Sequence, residues 1–373
     1  MKSYWTENDG PISAARRFGE RIGLSYDAFS KIRSKLQVGP PQLLRKTFDD
    51  VREFQDLINQ NLVSKVWPGP TIVLDEGTSR WTGTDSSRPT GPPALTKMRG
   101  KPEPISHMIK TAADKDTGMI IRLELQEGKD AMAGKQFSDA MLPTTAVVRR
   151  LVHPWIGSGR NVVADSWFTN KATVEKLLDV GLSFIGTVKI GKKGIPKDYF
   201  TGLQYDGRGD HKVLHSDIRG HRIITVGWNE PGMKPGSKKP GVKVFIASAY
   251  SGAPDDPWVK DRSVLQADGS IIKREIHVPM PQVVKKYYEA SNVIDVHNQY
   301  RQGLLAIERV WATHSWKLRL FQTYMGTLLV NAFLGYRYES SGELTMREFT
   351  EQVVVGLLEA AKLPEGEIGR AHV

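Results

Sequence analysis

The stretch NVVADSWFTN, residues 161–170, decides the fold. Val162, Val163 and Ala164 read as a short buried strand, and it runs straight into the carboxylate of Asp165. Burying an ionised carboxylate costs several kcal/mol unless a cation or a metal compensates it. After Asp165 the sequence reads as a helix over 171–180, ended by Gly181, and then as the strand SFIGTVK. Before it a helix is expected over 138–152.

Further out, GPTIVLDEG is a second apolar run ending in acids, so a strand is expected to close at Asp75. Residues 82–104 are rich in Pro, Gly, Ser and Thr. They lead into HMIKTAADKDTGMIIRLELQE, where Asp116-Thr117-Gly118 marks the turn of a hairpin. Strand, hairpin, helix, strand, helix and strand in this order predict a mixed α/β sheet. Helical spacing over 12–36 and 47–66 predicts a helical N-terminal region at 1–70. The sheet begins in 71–190. Residues 191–285, with the short pieces HRIITVGW, VKVFIASAY and GSIIKREIHV, read as a β-rich insertion. Helical periodicity returns at 281–338, so 286–340 completes the core, and 341–373 forms an acidic helix and tail.

The 373 residues contain no cysteine, which removes disulfides, thiolate zinc sites and cysteine nucleophiles. No apolar run approaches the ~20 residues of a membrane span and no signal core opens the chain, so no membrane role is expected. Lys and Arg number 52 against 41 Asp and Glu, a surplus that suits a polyanionic partner. The charge is segregated. Residues 207–243 carry eight Lys or Arg against three acids, whereas 339–367 hold seven acids and two bases.

Asp75 and Asp165 both end strands, and in open α/β sheets the ligand crevice lies beyond the carboxyl ends of the strands. Asp295, in SNVIDVHNQYRQ, is a third candidate at a helix start. Three carboxylates without cysteine suit a hard cation, Mg²⁺ or Mn²⁺, as an oxygen-ligand site. Two such ions can activate an attacking hydroxyl and stabilise a leaving 3′ oxygen. The bland reading is that each Asp caps a helix or a turn. Glu289 and Glu308 are rivals for the third acid, although a continuous helix would carry Glu308 roughly 20 Å beyond Asp295.

Three blocks of this sequence resemble the piggyBac-type DDE/D transposases. VLDEGTSRWTG is similar to their first-aspartate motif, VVADSWFTNKATVEKLLDVGLSFIGTVKIGKKGIP to the second and YYEASNVIDVHNQYR to the third. The resemblance implies an RNase H-like catalytic core interrupted by an insertion domain, cutting and joining DNA. It puts metal ligation on Asp75, Asp165 and Asp295, with two Mg²⁺ or Mn²⁺ ions. It implies double-stranded DNA (transposon ends and target) as partner and a homodimer, with dimerisation and DNA binding in the helical N-terminal region. A nuclear location follows for a eukaryotic source, and otherwise association with DNA in the cytoplasm. The family's fourth aspartate is Asn298 here, an amide that keeps an oxygen ligand and loses the charge. The cysteine-rich zinc module of the family has no counterpart in this sequence. Two alternatives stand beside the active transposase: a domesticated or inactive DNA-binding relative, and an RNase H-fold nuclease without strand transfer.

For DNA contact the candidates are Lys189, Lys192, Lys193, Lys234, Lys238 and Lys239, with Lys197 beside them, as point charges for phosphates. Trp167 can stack on a displaced base or pack in the core, and Phe168 reads as core. His297 reads as a histidine on a helix surface.

Overall fold

The computed structural model describes residues 23–36, 38, 47–83, 91–97, 104–189, 193–229, 241–266, 268–303, 306–340 and 343–360. Its centre is a mixed sheet. β1 (Thr71–Arg80) pairs antiparallel with β3 (Ile105–Asp114), whose outer side holds β2 (Thr96–Lys97) and β4 (Ile120–Leu125). On its other side β1 pairs in parallel with β5 (Asn161–Ala164), and β5 in parallel with β6 (Ser183–Thr187). Three antiparallel strands followed by two parallel ones form the RNase H-like core. The hairpin between β3 and β4 closes where expected: the Asp114 carboxylate accepts from the Thr117 amide and hydroxyl, and Gly118 takes φ +76°.

β1 differs from the sequence expectation. It does not close at Asp75 but continues to Arg80, because β3 pairs with it as far as Arg80↔Ser106, whereas β5 stops at Leu74↔Ala164. Strands β7 (His211–Ile218), β8 (His221–Asn229) and β9 (Val242–Ala247), from the segment read as an insertion, extend the same sheet in the order β6-β9-β8-β7. β10 (Pro254–Leu265) and β11 (Ile271–Pro281) form a separate two-stranded ribbon. An isolated ribbon is marginal in water. This one is tied to the body by Trp258, stacked on Tyr288 at 5.7 Å, and by the Trp228 indole donating to the Pro279 carbonyl.

Successive side chains of a strand point to opposite faces, and the burial follows that alternation. Val73 and Val163 pack on the face covered by helices 49–65, 282–290, 293–301 and 316–340. Ile72, Leu74, Val162 and Ala164 pack on the other, covered by helices 143–151 and 171–178. The helix expected over 138–152 starts only at Pro143, whose fixed φ suits a first turn. Asn170 caps the 171–178 helix by accepting from the Thr173 amide at 2.9 Å, and Gly181 at φ +69° follows its end. The edge of β4 is covered by amide side chains: Asn59 pairs with both backbone groups of Leu123, Gln55 accepts from Leu125, and Asn331 pairs with Ile120. The run expected as helical from 281 to 338 is broken into helices 282–290, 293–301, 307–310 and 316–340. Of the expected first helix, residues 12–22 lie outside the described residues, and Tyr26–Lys35 is helical.

Candidate active site

The register of β1 with β5 ends at Leu74↔Ala164, so the next residues on the two strands are Asp75 and Asp165. Neighbouring strands lie about 4.8 Å apart. By the alternation, both acids belong to the face of Val73 and Val163, and that face lies under the helix carrying Asp295. Asp75, Asp165, Asp295 and Asn298 line one cavity of about 940 Å³, together with Glu76, Lys189, Lys197, Lys243, Tyr287 and Tyr288.

Local backbone fixes the acids. The Asp165 carboxylate accepts from the Trp167 amide at 2.8 Å, and the Thr169 amide and hydroxyl both donate back to the Asp165 carbonyl. Gly186 on β6 leaves the space this turn needs, since a Cβ there would collide with the Thr169 hydroxyl and the Phe184 ring. Asp75 accepts from the Glu76 amide, and Thr111 donates to its carbonyl. Asn298 lies over Gly77: a Cβ on that glycine would stand 3.6 Å from the Asn298 amide oxygen. The helix 293–301 therefore approaches β1 closely.

The electrostatics are those of crowded, largely buried carboxylates. Burial raises Asp75 to about 7, against the Glu76 amide bond that lowers it, and repulsion from Asp165, Asp295 and Glu76 adds to the rise. Asp165 is also raised, by burial first, with the Trp167 amide and Lys110 opposing. Lys110 on β3 is fully buried. Its ammonium lies 2.6 Å from Glu76 and 3.3 Å from the centre of the Trp167 ring. Burial pushes it down, while Glu76, Asp165 and Asp75 hold it up.

Every donor among the acids and Asn298 is oxygen, which fits a hard divalent cation. Among the described residues no three His, Asp or Glu side chains lie close enough together to hold one ion. Asp165, and after it Asp295, is near enough to act on the charge of Asp75.

The other candidates divide. Lys189 lines the cavity and Lys193 is exposed without lining it, whereas Lys192, Lys234, Lys238 and Lys239 lie outside the described residues. Phe168 is fully buried; one face of Trp167 is covered by Lys110 and an edge contact ties it to Phe168. His297 is not on a helix surface. It is 1% exposed and hydrogen-bonded to Asn331 at 3.1 Å, because the 293–301 helix turns Ile294, His297 and Arg301 inward. Burial, then Arg301, lowers it to about 3. Glu289 is exposed and paired with Lys286, and Glu308 is buried against Arg301 and Thr323; neither lines the cavity. Sequence reasoning missed Lys110, although a lysine inside the apolar run of β3 is itself a signal. It also missed Lys243, whose ammonium meets the Tyr288 hydroxyl at 2.9 Å beside the acids.

The RNase H-like sheet thus carries two carboxylates at neighbouring strand positions, with a third on a covering helix and lysines lining the same cavity. The chain belongs to the family described as Transposase IS4, whose model DDE_Tnp_1_7 matches residues 1–333. Its fold is similar to that in the cryo-EM structure of the piggyBac transposase synaptic complex with hairpin DNA, with a TM-score of 0.67 and 19% identity. That likeness covers 93% of this chain and 66% of the other, so the chain spans just under two thirds of its neighbour's length. No curated protein matches the chain. No helix among the described residues is long and apolar enough to cross a membrane.

Proposed function

We propose that the chain is a DNA transposase that cleaves DNA and transfers the cut strand, with Asp75, Asp165 and Asp295 as its catalytic acids. The observation that carries this is the β1–β5 register, which sets Asp75 beside Asp165 on the face under the Asp295 helix. These carboxylates, with Asn298, would hold Mg²⁺ or Mn²⁺. Such ions supply an activated attacking hydroxyl and stabilise the leaving 3′ oxygen. Lys189, Lys197 and Lys243 flank the acids and suit the phosphates on either side of the scissile bond. The partners are transposon ends and target DNA, and the working form is a homodimer, as the likeness to a synaptic complex suggests. Nuclear residence follows if the source is eukaryotic.

Supercoiled plasmid and a fragment carrying the element's ends, incubated with Mg²⁺ or Mn²⁺, test the reading. Cleaved ends joined to plasmid are expected from the wild type and not from Asp165→Asn. Nicking without joining would replace the proposal with a nuclease. Binding without nicking would favour a DNA-binding relative, the reading that Asn298 in place of a fourth carboxylate supports.

A further inference from the structure

Glu76 and Lys110 are register partners on β1 and β3, so they share the face of the sheet opposite Asp75 and Asp165. β5 has ended at Ala164, and the space beyond it is closed by the Asp165–Phe168 turn. The Lys110 side chain fills that space: it is fully buried, with its ammonium against Glu76, over Trp167 at 3.3 Å and 5.4 Å from the Phe168 ring centre. A lysine this deep persists only where charges compensate it. Asp165 and Asp75 are both near enough to act on it besides Glu76. Glu76 itself still borders the cavity, with a side chain 27% exposed.

We propose that Lys110 is a built-in counter-cation of the acidic site: it pairs with Glu76 at the cavity's border and lets Asp75 and Asp165 sit side by side before a metal arrives. It is a positioning residue, acting through Glu76, Trp167 and the two aspartates. The inference rests on reading Asp75 and Asp165 as metal ligands. Its consequence is a pair of opposite signs. Removing Lys110 deletes a positive charge and leaves the Glu76 carboxylate at the cavity's border unpaired, so divalent ions bind more tightly. Removing the Glu76 charge releases Lys110 towards Asp165 and Asp75, so they bind less tightly. A residue that only filled space would not separate the two.

The test is calorimetric titration of the full chain with Mn²⁺. Lys110→Met is expected to tighten binding and Glu76→Gln to weaken it, each by about tenfold or more, while Lys110→Arg keeps the wild-type affinity. Affinity unchanged or weakened in Lys110→Met, or tightened in Glu76→Gln, overturns the proposal. A second arm needs no metal. In EDTA, Lys110→Met lowers the melting temperature, and the loss shrinks when Asp75→Asn has already removed one of the nearby charges. Equal losses in both backgrounds would reduce Lys110 to packing. If Lys110→Met alone does not fold, folding of the double variant supports the counter-cation, and failure of both overturns it. A wild type that binds no Mn²⁺ refutes the metal reading, and the EDTA arm still decides the role of Lys110.

Discussion

Replacing Asp75 with asparagine should stabilise the metal-free protein at mildly alkaline pH, although it removes a side chain at the centre of the site. Asp75 is raised from 3.8 to about 7 by burial first, and then by Asp165, Asp295 and Glu76. An acid raised in the folded state holds its proton more tightly there. The stability it contributes is therefore complete below the unfolded value and is lost as pH rises through about 7. A rise of that size corresponds to roughly 4 kcal/mol at most. Asparagine keeps the acceptor for the Glu76 amide but still buries a polar group, so about half of that figure, roughly 2 kcal/mol, is the expected gain near pH 8. For a chain of this size it amounts to a melting temperature higher by about 2–3 °C. Melting in EDTA from about pH 5 to about pH 8.5 reads it: the wild type should lose stability through neutrality, and the variant should follow a flatter line. With Mg²⁺ present the order should reverse, because only the wild type gains from binding. Parallel profiles in EDTA, or a variant less stable at pH 8, would refute the claim that burial and then the neighbouring acids penalise the Asp75 charge.

Three other variants probe the surroundings. Glu308→Gln leaves Arg301 buried without its carboxylate and should cost about 3 kcal/mol in chemical denaturation, while the folded fraction still cleaves DNA. Asn298→Asp adds a carboxylate to the cavity, so it should lower the metal-free melting temperature and tighten Mn²⁺ binding in calorimetry. His107 is packed between Phe48 and Trp316, and neither ring nitrogen has a partner among the described residues. Burial lowers it to about 4, so the protein loses stability as pH falls from about 6.5 towards 4. His107→Leu should remove part of that loss and add about 1 kcal/mol at neutral pH, leaving His297 to account for the rest.

Strands buried on both faces carry no alternation in sequence. TIVL and NVVA therefore announced strands and the acids that follow them, but not which face each acid takes. That choice depends on the register Leu74↔Ala164, a long-range pairing invisible in either segment alone. The same limit hid β7 and β10. The first is mostly half-buried or exposed, and the second has two prolines and several charges; each is a strand because of its partner. Helices 49–65 and 171–178 were legible because each has one apolar stripe and local end signals. Lys110 escaped notice because a charge inside a strand makes sense only once Glu76 is seen opposite it.

The choice of third acid shows where an argument from local spacing stops. The distance argument against Glu308 assumed an unbroken helix, but the helix ends at Arg301 and Glu308 lies on another, 307–310. The length of a helix therefore does not separate Glu308 from Asp295; their surroundings do. Arg301 binds Glu308, the Thr78 carbonyl and the Asn298 amide oxygen, while Thr323 donates to Glu308 and Ser79 lies beside it. Glu308 is thus committed to a buried network that pins the 293–301 helix against β1. Ile294, His297 and Arg301 fall on the pinned side, and Asp295 and Asn298 border the cavity. A carboxylate already neutralised by a buried arginine has little charge left to offer a cation, and one on the cavity wall without such a partner has all of it.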